Sequence, residues 1–415
     1  MADNSVNLNI FDGAPALFRD ALPLFSGLDA LALPVTPEAA GEAKLYTVSP
    51  CQEAGQPCLP AFTSESLLNP PFVKQPVPAA ALLFFHAPHH EHFVFNPAHP
   101  QAALPCAPLK ASRKDLSLLS GFLKAGAAAG GDPARLAAGE FALGNLHSAH
   151  YLYTLADARS PASRARFSLA FALVELGLLQ EAYDLMKSDA DPEARFCLAV
   201  IHRKTGDAHK ARELLASLGK GTVLDEKIAV ESAWLDLETI PEDAEKTFHR
   251  LASASFDKTE ALSGLGAAMT KNAARSKDKG RLAGAASALR SALVSPSPAS
   301  CRIFFQLGSV YFRLGDMASA EACYRRSAVM APAVQSLANL ALTLIRSGKL
   351  QEAAQITAQV ALTDLNSARR LAAELPKDKL EELFQPPPQP APRPAPQPEP
   401  ERTAPPEPVP AEPPA

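Results

Sequence analysis

The chain has 415 residues, 47% of them hydrophobic and 20% charged, with a formal net charge of −4 at neutral pH. That length exceeds what one hydrophobic core ordinarily serves, so two or more domains or a repeat array are expected. The slightly acidic balance offers no electrostatic footprint for nucleic acid, and no apolar run is long enough to span a bilayer.

The N-terminus, MADNSVNLNIFDGAP, lacks the basic and apolar regions of a secretory leader. Residues 1–43 start polar and then present Ile10, Leu17, Phe18, Leu22, Leu24, Phe25 and Leu28, the pattern of a short amphipathic helix that packs on the next domain. The six cysteines (Cys51, Cys58, Cys106, Cys197, Cys301 and Cys323) lack the close paired spacing of a metal knuckle. A reducing, cytoplasmic setting is expected, with free thiols that behave as small hydrophobes.

Residues 44–124 change character. LYTVSP and ALLFF are short apolar runs and HFVFNP alternates, bounded by Gly, Pro and Asn-Pro, as in the strands of a small α/β domain. Three stretches carry a resemblance: Lys44 to Val48, Leu59-Pro60-Ala61-Phe62-Thr63-Ser64-Glu65, and Phe93-Val94-Phe95-Asn96-Pro97. Together they resemble the N-terminal domain of the bacterial SseB (serine-sensitivity) family. That resemblance implies a strand, a turn opening a helix with Thr63 or Ser64 as N-cap, and a strand ending in Asn-Pro. It implies no catalytic residue. His86, His89, His90, His92 and His99, with Glu91, are the residue types of a Zn²⁺ or Ni²⁺ site, yet a histidine-rich loop entering a strand accounts for them equally, and no metal site is assigned.

The stretch Cys301–Pro332 is the most informative. Phe304, Leu307 and Tyr311 recur at i, i+3, i+7 and make one apolar stripe on a first helix. Gly308 and Ala320 are small where two helices approach, Gly315 permits a left-handed exit, Tyr324 fills the second helix and Pro332 ends it. These positions resemble the tetratricopeptide repeat (TPR). Weaker echoes occur at Leu337, Leu340, Ala341, Leu344 and Gly348; at Leu169, Leu173 and Gly177; at Leu198, Ala199, Gly206 and Ala211; and at Gly144, Ala149, Tyr153 and Pro161. Two degenerate units lie between them, one around Trp234, Ala244 and Phe248, the other around Leu265, Gly266, Leu289 and Ala292. About seven repeats are expected between Gly130 and Asp364, since one repeat alone cannot bury its apolar face.

A short capping helix is expected at 376–384. From Gln385 to Ala415 about half the residues are proline, so this end should be an extended, disordered tail. The expected fold is therefore multidomain: an N-terminal segment (1–43), a small α/β (α+β) domain (44–124), an all-α TPR solenoid (130–375), the capping helix and the Pro-rich tail.

No phosphate loop, dinucleotide fingerprint, nucleophile elbow or HExxH pattern occurs. The expectation is a non-enzymatic adaptor without a cofactor. The TPR resemblance implies that the first helix of each repeat lines a concave groove. On that register the groove residues are Arg164, Phe167 and Phe171; Phe196, Val200 and Arg203; Arg302, Phe305, Ser309 and Phe312; and Ala338 with Arg346. Apolar pockets rimmed by arginine suit an extended or helical peptide with hydrophobic anchors and some acidic character. Packing of those phenylalanines between helices is the competing reading. The resemblances further imply a protein or peptide partner in a bacterial secretion or surface-assembly system, and self-association. The alternative is an enzyme or metal-dependent module in 44–124 with the array as its targeting arm.

Overall fold

The structure is a computed structural model that describes residues 22–40, 43–53, 56–88, 90, 92–103, 108–125, 132–159, 165–219, 221, 224–254, 258–331 and 333–376. The expected capping helix beyond Pro376, the Pro-rich tail, the segment before Leu22, and Pro161, Arg164 and Pro332 lie outside these residues.

After a single 3₁₀ stretch at Leu22–Gly27, the N-terminal unit contains β1 (Ala30–Ala40), β2 (Ala43–Val48), β3 (Cys51–Glu53), β4 (Gln56–Ala61), β5 (Phe72–Pro76), α1 (Val77–Phe85), β6 (His92–Phe95), β7 (Leu109–Ser112) and α2 (Arg113–Ala125). One sheet has the order β2-β1-β5, the other β3-β4-β6-β7, and β4 and β6 run parallel across the α1 crossover. Ala32 and Phe62 exchange backbone hydrogen bonds of 2.9 and 2.8 Å, which joins the two sheets.

Two sequence expectations need correction here. β1 falls inside the segment assigned to 1–43, so the strand-bearing unit starts well before residue 44. Pro34 and Pro37 mask it, because proline normally argues against a strand. In this strand the ladder to β5 covers residues 30–34 and the ladder to β2 residues 35–40, with Ala32 bonded on its other side to Phe62. Pro34 and Pro37 each have a ladder partner in one strand only, so a missing proline N–H need not orphan an acceptor. The second correction is ALLFF, expected as a strand, which forms the end of α1. Pro78 pre-sets the first turn, and Val77, Ala80, Ala81, Leu83, Phe84 and Phe85 are all buried, so no amphipathic period betrays the helix.

The two motifs behind the SseB resemblance meet in space. The Asn96 side-chain oxygen accepts from the Thr63 N–H at 2.9 Å, and the Asn96 amide donates to the Thr63 hydroxyl at 3.1 Å. Ser64 caps only a three-residue 3₁₀ turn, Glu65–Leu67, where the resemblance implies a longer helix. Cys51 and Cys58 stand opposite each other in the β3–β4 register as free, buried thiols.

The rest of the chain is helix pairs: α3 (Pro133–Ala142) with α4 (Leu146–Arg159), α5 (Ala165–Leu176) with α6 (Leu179–Met186), α7 (Pro192–Lys204) with α8 (Ala208–Ser217), and α9 (Asp225–Asp236) with α10 (Pro241–Ala254). Then come α11 (Thr259–Ser276) with α12 (Lys279–Ala292), α13 (Ser300–Leu314) with α14 (Met317–Met330), and α15 (Val334–Arg346) with α16 (Leu350–Ala361); α17 (Leu365–Ala372) covers the end. The degenerate middle units thus fold as pairs like the rest.

A local device repeats at the corners. Gly206 and Gly315 end first helices with φ of 89° and 85°, and the next residue, Asp207 or Asp316, caps the second helix through its carboxylate. In the α11–α12 corner Lys277 takes the left-handed position at φ 57° and Asp278 is the cap. Small residues set the spacing of the helices: a Cβ on Gly308 would stand 2.9 Å from the Tyr324 ring, and one on Gly264 only 2.2 Å from Phe248.

The N-terminal unit is built into the array. α2 lies on α4 so closely that a Cβ on Gly121 would meet the His147 carbonyl at 2.2 Å. At the far end Leu45 of β2 is fully buried with Leu337, Leu340, Leu344 and Ala353 of the last pair, and Arg369 pairs with Glu38 at 3.4 Å. The α3–α4 corner at Gly144 touches the carbonyl of Ser297 and the Met330 methyl. The array therefore curls until its first pair meets its sixth, and the N-terminal sheet bridges to its last.

Phe248 is fully buried, so the ring cannot yield to an added methyl at Gly264. Gly264→Ala is expected to destabilise the chain by about 1–3 kcal/mol despite alanine's better helix propensity, measurable as a lower midpoint in urea unfolding.

Candidate functional site

The first helices α5, α7, α9, α11 and α13 turn one face each toward a common interior. On α5 that face carries Phe167, Phe171 and Glu175 at i, i+4, i+8, and on α7 it carries Phe196, Val200 and Lys204 at the same spacing. On α13 it carries Arg302 and Phe305, then Ser309 and Phe312.

The expected groove residues divide into two groups. Phe196 and Val200 are 3% and 4% exposed, so they are core and not a contact surface. Phe196 stacks on Phe171 at 6.1 Å, and Phe171 meets Phe167 edge-on at 4.8 Å; an aromatic ladder between adjacent repeats buries more area than a groove position allows. Phe167, Phe171, Phe305 and Phe312 remain half-buried. The Ser309 hydroxyl donates to the Phe305 carbonyl and accepts from the Tyr324 phenol at 3.1 Å. Arg346 is exposed at the rim and pairs with Glu374 at 3.5 Å.

Arg203 and Arg302 do not stand free to receive an acidic partner. Arg203 pairs with Glu231 of α9 at 2.5 Å, and Arg302 pairs with Glu260 of α11 through two 2.9 Å bonds. Between them lies Trp234, with the Arg203 guanidinium 5.7 Å and the Arg302 guanidinium 5.2 Å from its ring centroid. Lys204 bonds Glu175 at 3.2 Å on the same interior. Burial works against the Arg302 charge, but Glu260 and Glu175 outweigh it and hold its pKa above the ordinary value. Burial likewise opposes the Glu175 carboxylate, and Lys204 and Arg302 overcome it, so this carboxyl sits below its usual range. At Glu231 burial wins over Arg203 and the carboxyl is pushed up.

Glu175, Lys204, Glu231, Trp234 and Glu260 were not among the residues expected from sequence. A weak signal existed: Glu175 and Lys204 each lie four residues beyond an expected groove residue. Their pairing requires the curl of the array, which no single repeat encodes.

Of the histidine-rich tract, His89 and Glu91 lie outside the described residues. Among the described residues no group of three His, Cys, Asp or Glu side chains is gathered to hold a metal. His99 accepts from the Gln101 N–H at 3.1 Å, His92 lies in β6, and His86 turns toward the array, where its ring is 6.2 Å from that of His147. The Ser117 hydroxyl sits 2.9 Å from Nδ1 of both His147 and His150. His147 and His150 are enclosed between α1, α2 and α4, and His86 lies half-buried beside them. Burial, aided by Arg113, pushes His86 down to about 4; burial with Lys114 pushes His150 down to about 3; burial with His86, His150 and Lys124 holds His147 well below its ordinary value.

Two outcomes are expected. Arg302→Met leaves Glu260 without its cation and Glu175 with Lys204 alone, and should cost about 1 kcal/mol in urea unfolding, less than a fully enclosed pair because the guanidinium keeps some solvent. Adding Glu260→Gln to that variant should recover part of the loss, and strict additivity would argue against the coupling. Second, the unfolded chain protonates its histidines near 6.5 while the folded chain keeps these three neutral, so stability is complete above that pH and lost as pH falls toward 4. Unfolding at pH 5 should need at least about 2 kcal/mol less than at pH 7, with a shallower pH slope in His150→Phe.

Residues 302–333 match the tetratricopeptide repeat family model. No curated protein matches the chain. Among solved structures, a tetratricopeptide repeat protein from Parabacteroides merdae is similar at 14% identity over 58% of this chain and 96% of that one, with a TM-score of 0.35. A thermophilic TPR protein of Thermus thermophilus is similar at 20% identity over 58% and 96%, with a TM-score of 0.29. With the α13–α14 pair coinciding with the matched segment, the chain carries a tetratricopeptide repeat within an array of antiparallel helix pairs.

Proposed function

We propose that the protein is a non-enzymatic protein–protein interaction scaffold that takes a peptide or protein partner along the inner face of its helical array. The observation that carries this reading is the series of half-buried phenylalanines, Phe167, Phe171, Phe305 and Phe312, on first helices of separate repeats. Such rings already lie against the core on one side, so covering the other side by a partner's apolar anchor removes further surface from water at little ordering cost. The arginines of this face are neutralised internally, so the partner is read mainly by its hydrophobic anchors, with Arg346 as a rim contact for an acidic group.

We also read the N-terminal unit as SseB-like. What supports this is the Thr63–Asn96 hydrogen-bonded contact between the two motif stretches and the parallel β4–β6 pair that carries them. The free thiols of Cys51, Cys58, Cys197, Cys301 and Cys323 suit a cytoplasmic setting. A bacterial secretion or surface-assembly system is the context implied by the resemblances.

The test is affinity capture from the protein's own cell extract. The native chain is run beside Phe167→Ala/Phe171→Ala on the inner face and beside Val294→Ser/Val329→Ser, whose side chains are exposed at 83% and 72%. Circular dichroism serves as the folding control. A partner lost only by the still-helical inner-face variant is expected. Loss only with the Val294/Val329 variant would sink the inner-face assignment.

A further inference from the structure

A cavity of about 300 Å³ lies where the curled array meets the N-terminal unit. That volume is at the small end of the range for small-molecule sites, roughly 300–1,000 Å³. Its walls come from distant parts of the chain: His86 beyond α1, Lys124 of α2, His147 of α4, Glu175 of α5, Lys204 of α7, and Arg302 with Phe305 of α13. No single repeat supplies such a site, and it exists only because the array closes on itself.

Two features of the walls point to a ligand. The first is charge. Lys204, Arg203 and Arg302 are matched by Glu175, Glu231 and Glu260, whereas Lys124 forms no ion pair among the described residues. The cavity therefore carries one cation in excess. The second is a set of neutral donors: Asn145 and Gln335 line the same cavity, and their side-chain amides can donate to an anion. Phe305, Leu146, Leu176 and Met330 supply an apolar wall for the remainder of a ligand.

We infer that this cavity binds a small organic anion, with one carboxylate or phosphate head at Lys124 and an apolar body against Phe305. The cavity shares Phe305 and Arg302 with the inner face but also needs Lys124 of the N-terminal unit, so the Lys124 variants test it apart from the partner reading.

The single tryptophan of the chain provides the readout. Trp234 stacks on Arg302, whose side chain forms part of the cavity wall, so an occupant should perturb its emission. The purified full chain is titrated with benzoate, phenyl phosphate and the neutral isostere benzamide, monitored by Trp234 fluorescence and by calorimetry. Saturable one-to-one binding of benzoate or phenyl phosphate, but not benzamide, is expected, and the tighter of the two identifies the head group. Lys124 is exposed, so Lys124→Met should fold normally; it should weaken binding roughly tenfold, while Lys124→Arg should retain it. Absence of saturable binding by either anion, equal binding of benzamide, or an unchanged affinity in Lys124→Met would each overturn the inference.

Discussion

The constraint on which the structure depends is the charge of Arg302. Its guanidinium lies on the axis toward which five first helices turn, stacked on Trp234 and held by Glu260, with Glu175 close enough to favour the charged form. Its side chain keeps 38% of its exposure and that of Glu260 43%, so the pair is partly solvated, yet carboxylates from two other repeats still favour the charge. The contacts of Arg302 tie α13 to α9 and α11, with Glu175 of α5 nearby. The curl of the array and the neutralised inner face meet at this residue.

Closure of this kind changes what a repeat array can do. In an open solenoid each unit contacts only its neighbours, and stability is close to a sum of local terms. Here the α3–α4 corner touches the end of α14, and β2 buries Leu45 in the last pair. Those contacts join chain segments hundreds of residues apart, so loosening of one end exposes apolar surface at the other. The array gains a fixed curvature, and with it a cavity of defined shape beside the inner face.

Much of the local structure was legible because it is encoded locally. Gly315 with Asp316 after it, the Phe304-Leu307-Tyr311 stripe and small Gly308 against Tyr324 all act within one repeat, and each leaves a short-range mark in the sequence. The strand at His92–Phe95 was legible as a short apolar run closed by Asn-Pro, although Phe93, Val94 and Phe95 are all buried where alternation was expected. Three things were hidden. β1 contains prolines that only a one-sided pairing excuses. The last residues of α1 are apolar on every side and carry no period. The groove register put Phe196 and Val200 at contact positions of α7, but their burial is decided by Phe171 of the preceding repeat, and sequence spacing holds no information on that distance.

The histidines show the same division at the level of chemistry. Grouped along the chain, His86, His89, His90, His92 and His99 are the residue types of a metal set, yet no three described ligand side chains gather, and His86 has His147 of the first pair of the array as its neighbour. Enclosure keeps His86, His147 and His150 neutral, with Ser117 able to bridge only the last two. A purely structural junction would be served better by apolar side chains of similar size, since each enclosed imidazole carries two polar nitrogens that must be answered. Retaining them where the N-terminal unit, the first pair and the curled sixth pair converge costs stability in acid. Nε2 of His86 and Nε2 of His150 are both enclosed and left unanswered by the protein itself, so the junction costs stability at neutral pH as well as in acid.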